Sequence, residues 1–326
     1  MIGQEPEHGT AENYRRFAAL EAHGRSPLYE QLANRVADDR ELLGFLEGLP
    51  REKRQPNLLF AAVRYLAGVQ PSYEDFRAVV LDCRGELAAT MLARRTQTNE
   101  PARCATLLPA LAALRQPLAL LEVGASAGLC LLPDRYRYDY GAVRIDGQPG
   151  APVLSCRCLG PVPLPTRPVE VVWRAGIDLN PLDVTDPDDV RWLSCLVWPG
   201  EGDRAERLAA AIEVARRDPP RLVRGDLVDR LAETAVGAPR QATLVVFHSA
   251  VLAYVSPSRR AEFAHAVNRL GAVWLSQEGP TVLSGLPGFP RELPTPATAD
   301  PFLLTRGGRD PLAYADAHGA WIHWLA

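Results

Sequence analysis

Leu118-Ala119-Leu120-Leu121-Glu122-Val123-Gly124-Ala125-Ser126-Ala127-Gly128-Leu129 is the stretch on which the fold turns. A short apolar run carries an acid near its end, then two glycines four positions apart, then a leucine that can open a helix. Buried parallel strands are near-continuous apolar runs. Glycine is required where backbone takes a positive φ or passes close to a ligand. The segment therefore reads as a strand turning sharply into a helix around a bound nucleotide. Glu122 is placed to accept hydrogen bonds from an ammonium group or a hydroxyl. The pattern departs from the dinucleotide fingerprint G-x-G-x-x-G, because the second position after Gly124 is Ser126. The same five residues, Gly124 to Gly128, fit G-x-S-x-G, the nucleophile elbow of α/β-hydrolases. An ordinary strand-turn-helix with small residues for packing is a third reading.

Downstream, the strand-length apolar runs Val169–Asp178, Arg221–Gly225, Thr243–His248 and Ala272–Ser276 alternate with helical stretches, notably Arg204–Arg217 and Ser258–Leu270, with Ser258 as its N-cap. Such alternation implies βαβ units and a parallel sheet covered on both faces. Asp134 to Pro168 interrupts it and is expected to be an insertion, with a β-hairpin around Leu154–Leu159. The Pro- and Gly-rich tail from Gly279 to Pro301 reads as a long loop, and Trp321–Leu325 as a last strand. Upstream, Glu12 to Arg115 is helical by spacing: Phe17, Leu20, Leu28, Leu32 and Val36 recur at helical intervals, and Ser26-Pro27 marks a helix start. The fold class is therefore α/β: a doubly wound, Rossmann-like sheet over 116–326, with an all-helical part over 1–115 and an insertion near 134–168.

Bulk properties exclude several classes. Of 326 residues, 47% are hydrophobic and 23% charged, which fits a globular protein with a full core, and a net charge of −3 gives no nucleic-acid or membrane footprint. The six cysteines form no Cys-x-x-Cys and no Cys/His cluster, so no metal site is expected and reduced cytosolic thiols are the simplest account. No apolar run approaches the ~20 residues of a membrane span. A cytoplasmic protein is the expectation.

Glu122 and its Gly-x-x-x-Gly loop resemble the first motif of class I S-adenosylmethionine methyltransferases. In such a site, acids end successive parallel strands at the carboxyl edge, where ligands bind. The resemblance implies that Glu122, Gly124, Ser126 and Gly128 hold the methionine part, Asp178 the ribose and Asp226 the adenine. Glu122 and Asp178 lie 56 positions apart, against the usual spacing of about 20 from loop to acid, and the insertion accounts for most of the excess. Asp183 and Asp186 read as turn and cap residues. His248 directly follows a buried strand and is the candidate base, with Tyr254 beside it. Asn99 reads as the cap of the helix that Pro101 opens. Asn99 and Arg103 also precede the loop strand and are candidates for the cofactor carboxylate. Asp134-Arg135-Tyr136 is expected on the substrate side.

The rival hydrolase reading takes Ser126 as nucleophile, with Asp226 and His248 following in chain order. Against it, Glu122 adds negative charge beside the serine, and the elbow sits on the first strand rather than about the fifth. A non-catalytic protein binding S-adenosylmethionine or another nucleotide is the remaining alternative.

Ser26-Pro27-Leu28-Tyr29, Gln97-Thr98-Asn99-Glu100, the loop from Glu122 to Leu129, Asp134-Arg135-Tyr136, Arg174-Ala175-Gly176-Ile177-Asp178, Trp198-Pro199 and Gly225-Asp226 together resemble a bacterial domain family of unknown function (number 2332). Cys130 departs from that pattern, where an asparagine is expected. The resemblance implies no assigned activity. The expected function is thus transfer of a methyl group from S-adenosylmethionine to a small molecule or peptide side chain, with helices before the first strand covering the cofactor.

Overall fold

The computed structural model describes residues 9–296, 298 and 301–325. The chain divides into two compact units. The first runs to Thr98 and takes back Asp186–Glu206; the second holds Asn99–Thr185 and the chain from Arg207 onward.

The first unit is helical, with α1 (Thr10–Phe17), α2 (Pro27–Asp38), α3 (Arg40–Glu47), α4 (Pro56–Ala67), α5 (Tyr73–Asp82) and α6 (Arg84–Ala93). Ser26 caps α2 as expected, its side chain accepting from the Tyr29 N–H, with Pro27 at the first helical position. Phe60 of α4 is the hub of an aromatic core, with Tyr29, Phe17 and Phe76 at centroid distances of 4.7, 5.9 and 5.6 Å. The later segment is joined to this unit by Trp198, 5.3 Å from Phe17, and by Trp192, whose Nε1–H donates to Arg95 O at 3.0 Å. Arg94 pairs there with Asp188 and Asp189.

In the second unit, α7 (Arg103–Ala112) precedes β1 (Leu118–Val123), a strand buried along its whole length. Then follow β2 (Arg137–Asp139), β3 (Arg144–Ile145), β4 (Val153–Ser155), β5 (Arg157–Leu159) and β6 (Val171–Asp178). Between β6 and the next strand lie α8 (Pro187–Leu196), which belongs to the first unit, and α9 (Gly202–Arg217). The chain continues through β7 (Arg221–Arg224), α10 (Leu231–Ala235), β8 (Thr243–Ser249), α11 (Pro257–Leu270), β9 (Val273–Glu278), α12 (Pro280–Leu283), β10 (Phe302–Arg306), β11 (Asp310–Ala315) and β12 (Trp321–Trp324).

Nine strands form one sheet in the order β5-β12-β11-β10-β9-β8-β1-β6-β7. The strands β9-β8-β1-β6-β7 are parallel. Numbered by appearance, they read 3-2-1-4-5 from the β7 edge, the order of a doubly wound sheet. The chain winds outward from β1 through β6 to β7, then crosses back to β8. The switch point, where such folds bind ligands, therefore lies between the carboxyl ends of β1 and β8.

One face of the sheet, with Leu121, Val123, Ala175, Ile177, Val246 and Trp274, packs on Leu231 of α10 and Phe263 and Val267 of α11. Neighbouring residues point to the opposite face, where α7 and the turn after the glycine loop lie: Thr106 of α7 hydrogen-bonds the Gln277 side chain.

Several local expectations are corrected. Leu129 opens a three-residue 3-10 turn, Leu129–Leu131, and no α-helix. The crossover to β6 is built instead from a small sheet, β3-β2-β4. The expected hairpin at Leu154–Leu159 is absent, since β4 pairs with β2 and β5 joins β12 at the edge of the large sheet. The N-cap of α11 is Ser256, not Ser258, because Pro257 occupies the first helical position. The tail contains α12, and the β10–β11 hairpin was not foreseen. Gly307 and Gly308 close it with φ of 66° and 69°, the backbone such tight turns demand.

Candidate functional site

The loop after β1 is bent by residues in left-handed conformation: Gly124 at φ 69°, Ser126 at 52° and Gly128 at 72°. Space also dictates both glycines. A Cβ on Gly124 would collide with Val251 Cγ2, and one on Gly128 would lie 2.6 Å from Pro220 Cγ. Ser126 is different, because a side chain in this region costs on the order of 1–3 kcal/mol and persists only where its surroundings enforce it. Here the Ser126 N–H donates to Asp178 Oδ2 at 2.8 Å, and Ser126 O accepts from the Leu182 N–H at 3.1 Å. Asp178 Oδ1 accepts the Asn180 N–H at 2.8 Å. The first task of Asp178 is therefore to hold the glycine loop in shape.

Ala250, at φ 58°, follows β8. Ser126 and Ala250 are the only non-glycine residues with positive φ among the described residues, and they flank the switch point on its two sides. The Ala250 turn is held by Glu278. Its Oε1 accepts the N–H groups of Val251 (2.7 Å) and Leu252 (3.0 Å) and the Nδ1–H of His248 (2.7 Å). Trp274 can only donate, so its Nε1–H, 3.1 Å from His248 Nε2, places the histidine's single proton on Nδ1. Both ring nitrogens are thus taken, and His248 is fully buried. It is a positioning residue for the loop and not a base open to substrate. Tyr254 stands exposed at the end of the same turn, Leu252–Tyr254.

Asp226 is likewise spoken for. Its Oδ1 accepts the Val228 N–H at 2.8 Å and pairs with Arg259 of α11. Asp226, His248 and Ser126 therefore do not assemble into a triad. The Asp134-Arg135-Tyr136 cluster braces the fold: Asp134 takes both arms of Arg174 at 2.9 Å, Arg135 pairs with Asp218, and Tyr136 Oη donates to Leu129 O at 2.8 Å.

The segment before α7 lies against the glycine loop. Asn99 does not cap the helix; Glu100 Oε1 accepts the Ala102 N–H instead, at 3.1 Å. Asn99 Oδ1 accepts the Leu129 N–H at 2.8 Å, fastening the end of the loop. Arg103 donates from Nε to Ala317 O at 2.9 Å and from Nη1 to Ser249 O at 3.2 Å, so these bonds go to main chain.

Glu122 stands apart from these satisfied groups. It is 4% exposed, and its Oε2 has no hydrogen-bond partner. Burial pushes its carboxyl well above the usual carboxylate range; the Cys130 thiol and Asp178 add to this, and the Arg103 guanidinium opposes it. On the same face, the next strands end in Ser249 and Gln277, register partners on β8 and β9 that were not among the expected site residues. Glu278 was missed too. The signal was present, since the β9 run continues as Ser276-Gln277-Glu278, polar residues inside a strand where apolar ones are the norm. No group of three or more His, Cys, Asp or Glu side chains that could hold a metal ion gathers among the described residues, and none of their helices is long and apolar enough to cross a membrane.

A family model for an uncharacterized protein conserved in bacteria (domain of unknown function 2332) matches residues 11–324. The chain belongs to that family. Comparison with curated proteins and with solved structures gave no match. Membership thus covers both units of the chain, and the site must be read from its own chemistry.

Proposed function

We propose that this family member binds S-adenosylmethionine at the switch point and transfers its methyl group to a small molecule or peptide side chain. One observation carries the reading: a buried carboxyl with one oxygen unpartnered, Glu122 Oε2, stands at the end of the central strand directly behind a glycine loop. An unpaired buried acceptor is costly and calls for a ligand donor. The parallel order 3-2-1-4-5 suits a methyltransferase-type sheet. The residues present fit the cofactor in three places. Glu122 and the loop from Gly124 to Gly128 receive the methionine part. Asp178 ends β6, the strand beside β1, and its carboxyl lies against the loop at Ser126, where an acid suits ribose hydroxyls. Leu179, 58% exposed beside it, offers an apolar surface to a flat base. Asp226, committed to Arg259, has no part in this reading. When bound, S-adenosylmethionine supplies an electrophilic methyl group. The protein's contribution is then to position the acceptor, and no dedicated base is needed for in-line displacement. Tyr254 is an exposed aromatic on the loop after β8 and is suited to covering the acceptor. Calorimetric titration with S-adenosylmethionine and S-adenosylhomocysteine tests the proposal: binding of both is expected, and no heat with either at millimolar ligand would overturn it.

A second reading, a serine hydrolase, is favoured by the left-handed Ser126 inside G-x-S-x-G. It lacks an open histidine, because His248 has both nitrogens engaged. Labelling by a fluorophosphonate that disappears in Ser126→Ala would revive it.

A further inference from the structure

Glu122 is not alone. Ser249 Oγ and Gln277 Nε2 are also buried without a hydrogen-bond partner. Ser249 and Gln277 are register partners, and Glu122 is level with Phe247, two residues before Ser249, so all three side chains lie on one face of the sheet. Helix α7 draws them together. Arg103 bonds the Ser249 carbonyl and acts on the charge of Glu122, and Thr106, three residues further along, contacts Gln277.

Thr106 decides which end of the Gln277 amide is free. Its hydroxyl lies 2.9 Å from Arg103 O and 2.9 Å from Gln277 Oε1. A hydroxyl has one hydrogen and serves only one of two oxygens. The bond to Arg103 O is the local side-chain-to-backbone type that threonine favours. Turning the amide so that its nitrogen faces Thr106 makes both contacts hydrogen bonds, with the Gln277 amide donating to Thr106. The unpartnered end is then the Gln277 carbonyl. All three orphaned groups become oxygens that accept: a carboxylate, a hydroxyl and a carbonyl. The charges agree. Arg103 and Asp178, both beside Glu122, offset each other, so ionised Glu122 leaves one negative charge to be matched.

We propose that the cluster of orphaned polar groups on the α7 face of the sheet, Glu122, Ser249 and Gln277, binds a primary ammonium group. Such a group has three N–H donors and a single positive charge. It has two candidate sources. One is the α-ammonium of the cofactor's methionine part, an assignment that rests on the function proposed above. The other is an amine on the methyl acceptor, which would make primary amines the substrate class. Because burial favours the protonated form of Glu122, arrival of the ammonium displaces a proton and leaves the net charge of the site unchanged.

Titration calorimetry on the full chain near neutral pH, in two buffers of different ionisation enthalpy, tests this. The probes are S-adenosylhomocysteine, 5′-methylthioadenosine (which lacks the amino-acid part) and n-propylamine. If the cofactor supplies the ammonium, S-adenosylhomocysteine binds with proton release and 5′-methylthioadenosine without it. Glu122→Gln and Gln277→Leu then weaken S-adenosylhomocysteine about tenfold or more and leave 5′-methylthioadenosine unchanged. If the acceptor supplies it, the two nucleosides bind alike, and propylamine binds alongside them with proton release that Glu122→Gln abolishes. Ser249→Ala, which removes only a hydroxyl, guards against misfolding of the other variants and must shift the same affinity. S-adenosylhomocysteine binding equally to all variants, with propylamine silent, overturns the ammonium site and leaves the cofactor reading standing. Propylamine binding with both nucleosides silent does the reverse, and silence of all three probes overturns both.

Discussion

On the α11 face of the sheet, the ends of β8 and β9 present His248 and Glu278; on the α7 face, one residue along each strand, they present Ser249 and Gln277. On the first face, the Glu278 carboxylate collects three donors and His248 is bonded at both nitrogens. On the second, Ser249 Oγ and one end of the Gln277 amide have no partner, and Glu122 of the adjacent strand joins them. Buried polar groups strengthen a fold when fully satisfied and weaken it when left unmade. The first network is therefore structural, holding Val251 against Gly124, and the second is where a ligand is called for. A residue's chemistry does not separate the two roles, but its partners do.

The largest effect expected from breaking this contrast is on the satisfied face. Glu278→Leu strands the N–H groups of His248, Val251 and Leu252 in a buried site and should lower the unfolding free energy by about 4 kcal/mol, measured by urea denaturation. A loss below about 1 kcal/mol would mean that the network is not closed.

Gly124→Ala tests the link between the faces, since the added Cβ meets Val251 and the backbone holds φ 69°. A loss of about 2–4 kcal/mol is expected by thermal melting. In a double-mutant cycle, Val251→Ala should recover part of it; strict additivity would show that Val251 is not the obstacle.

Asp178 and Asp183 sharpen the comparison at smaller scale. Asp178→Ala removes the acceptor of two loop N–H groups and should cost about 2 kcal/mol. The loop depends on this acid, because its carboxylate holds the Ser126 and Asn180 N–H groups. Asp183 accepts from the Thr185 N–H and hydroxyl in an exposed turn, and Asp183→Ala should cost less than about 1 kcal/mol. Equal losses in denaturant titrations would refute the assignment of Asp178 to the loop.

Glu122→Leu should cost nothing, or stabilise by about 1 kcal/mol, because it removes an acceptor that nothing satisfies. Its pH dependence has a definite sign. In the folded chain, the Glu122 carboxyl keeps its proton to higher pH than in the unfolded chain, where its value is about 4.3. Folding therefore binds a proton, and this contribution is full below that ordinary value and is lost as pH rises through the raised one. Glu122→Leu lacks this slope, so its advantage should grow from about pH 4 to pH 7. Parallel profiles for the two chains would show that Glu122 is satisfied after all.

The parallel core was legible because its strands are buried on both faces and read as apolar runs closed by Gly or Asp, as in Leu118–Val123 and Val171–Asp178. The helix start at Ser26-Pro27 was legible for a local reason, since a hydroxyl cap and a fixed φ act within one turn, whereas the start at Ser256-Pro257 was placed two residues late. The crossover after Gly128 was not, since Leu129 suits a helix and a 3-10 turn equally. The strands β4 and β5 were placed correctly as strands, but their partners lie far away in the chain.

Sequence alone determined the α/β class, the helical start, the glycine loop and an acid behind it, since periodicity and φ requirements are properties of neighbouring residues. Tertiary structure decided which acids are spent. Glu122, Asp178, Asp226 and Glu278 each end or follow a parallel strand, and no local rule tells them apart. Arg259 comes to Asp226 from α11, loop N–H groups come to Asp178 and Glu278, and nothing comes to Glu122 Oε2. The physical reason is that a buried carboxylate is defined by donors brought from distant segments, and only the folded chain brings them.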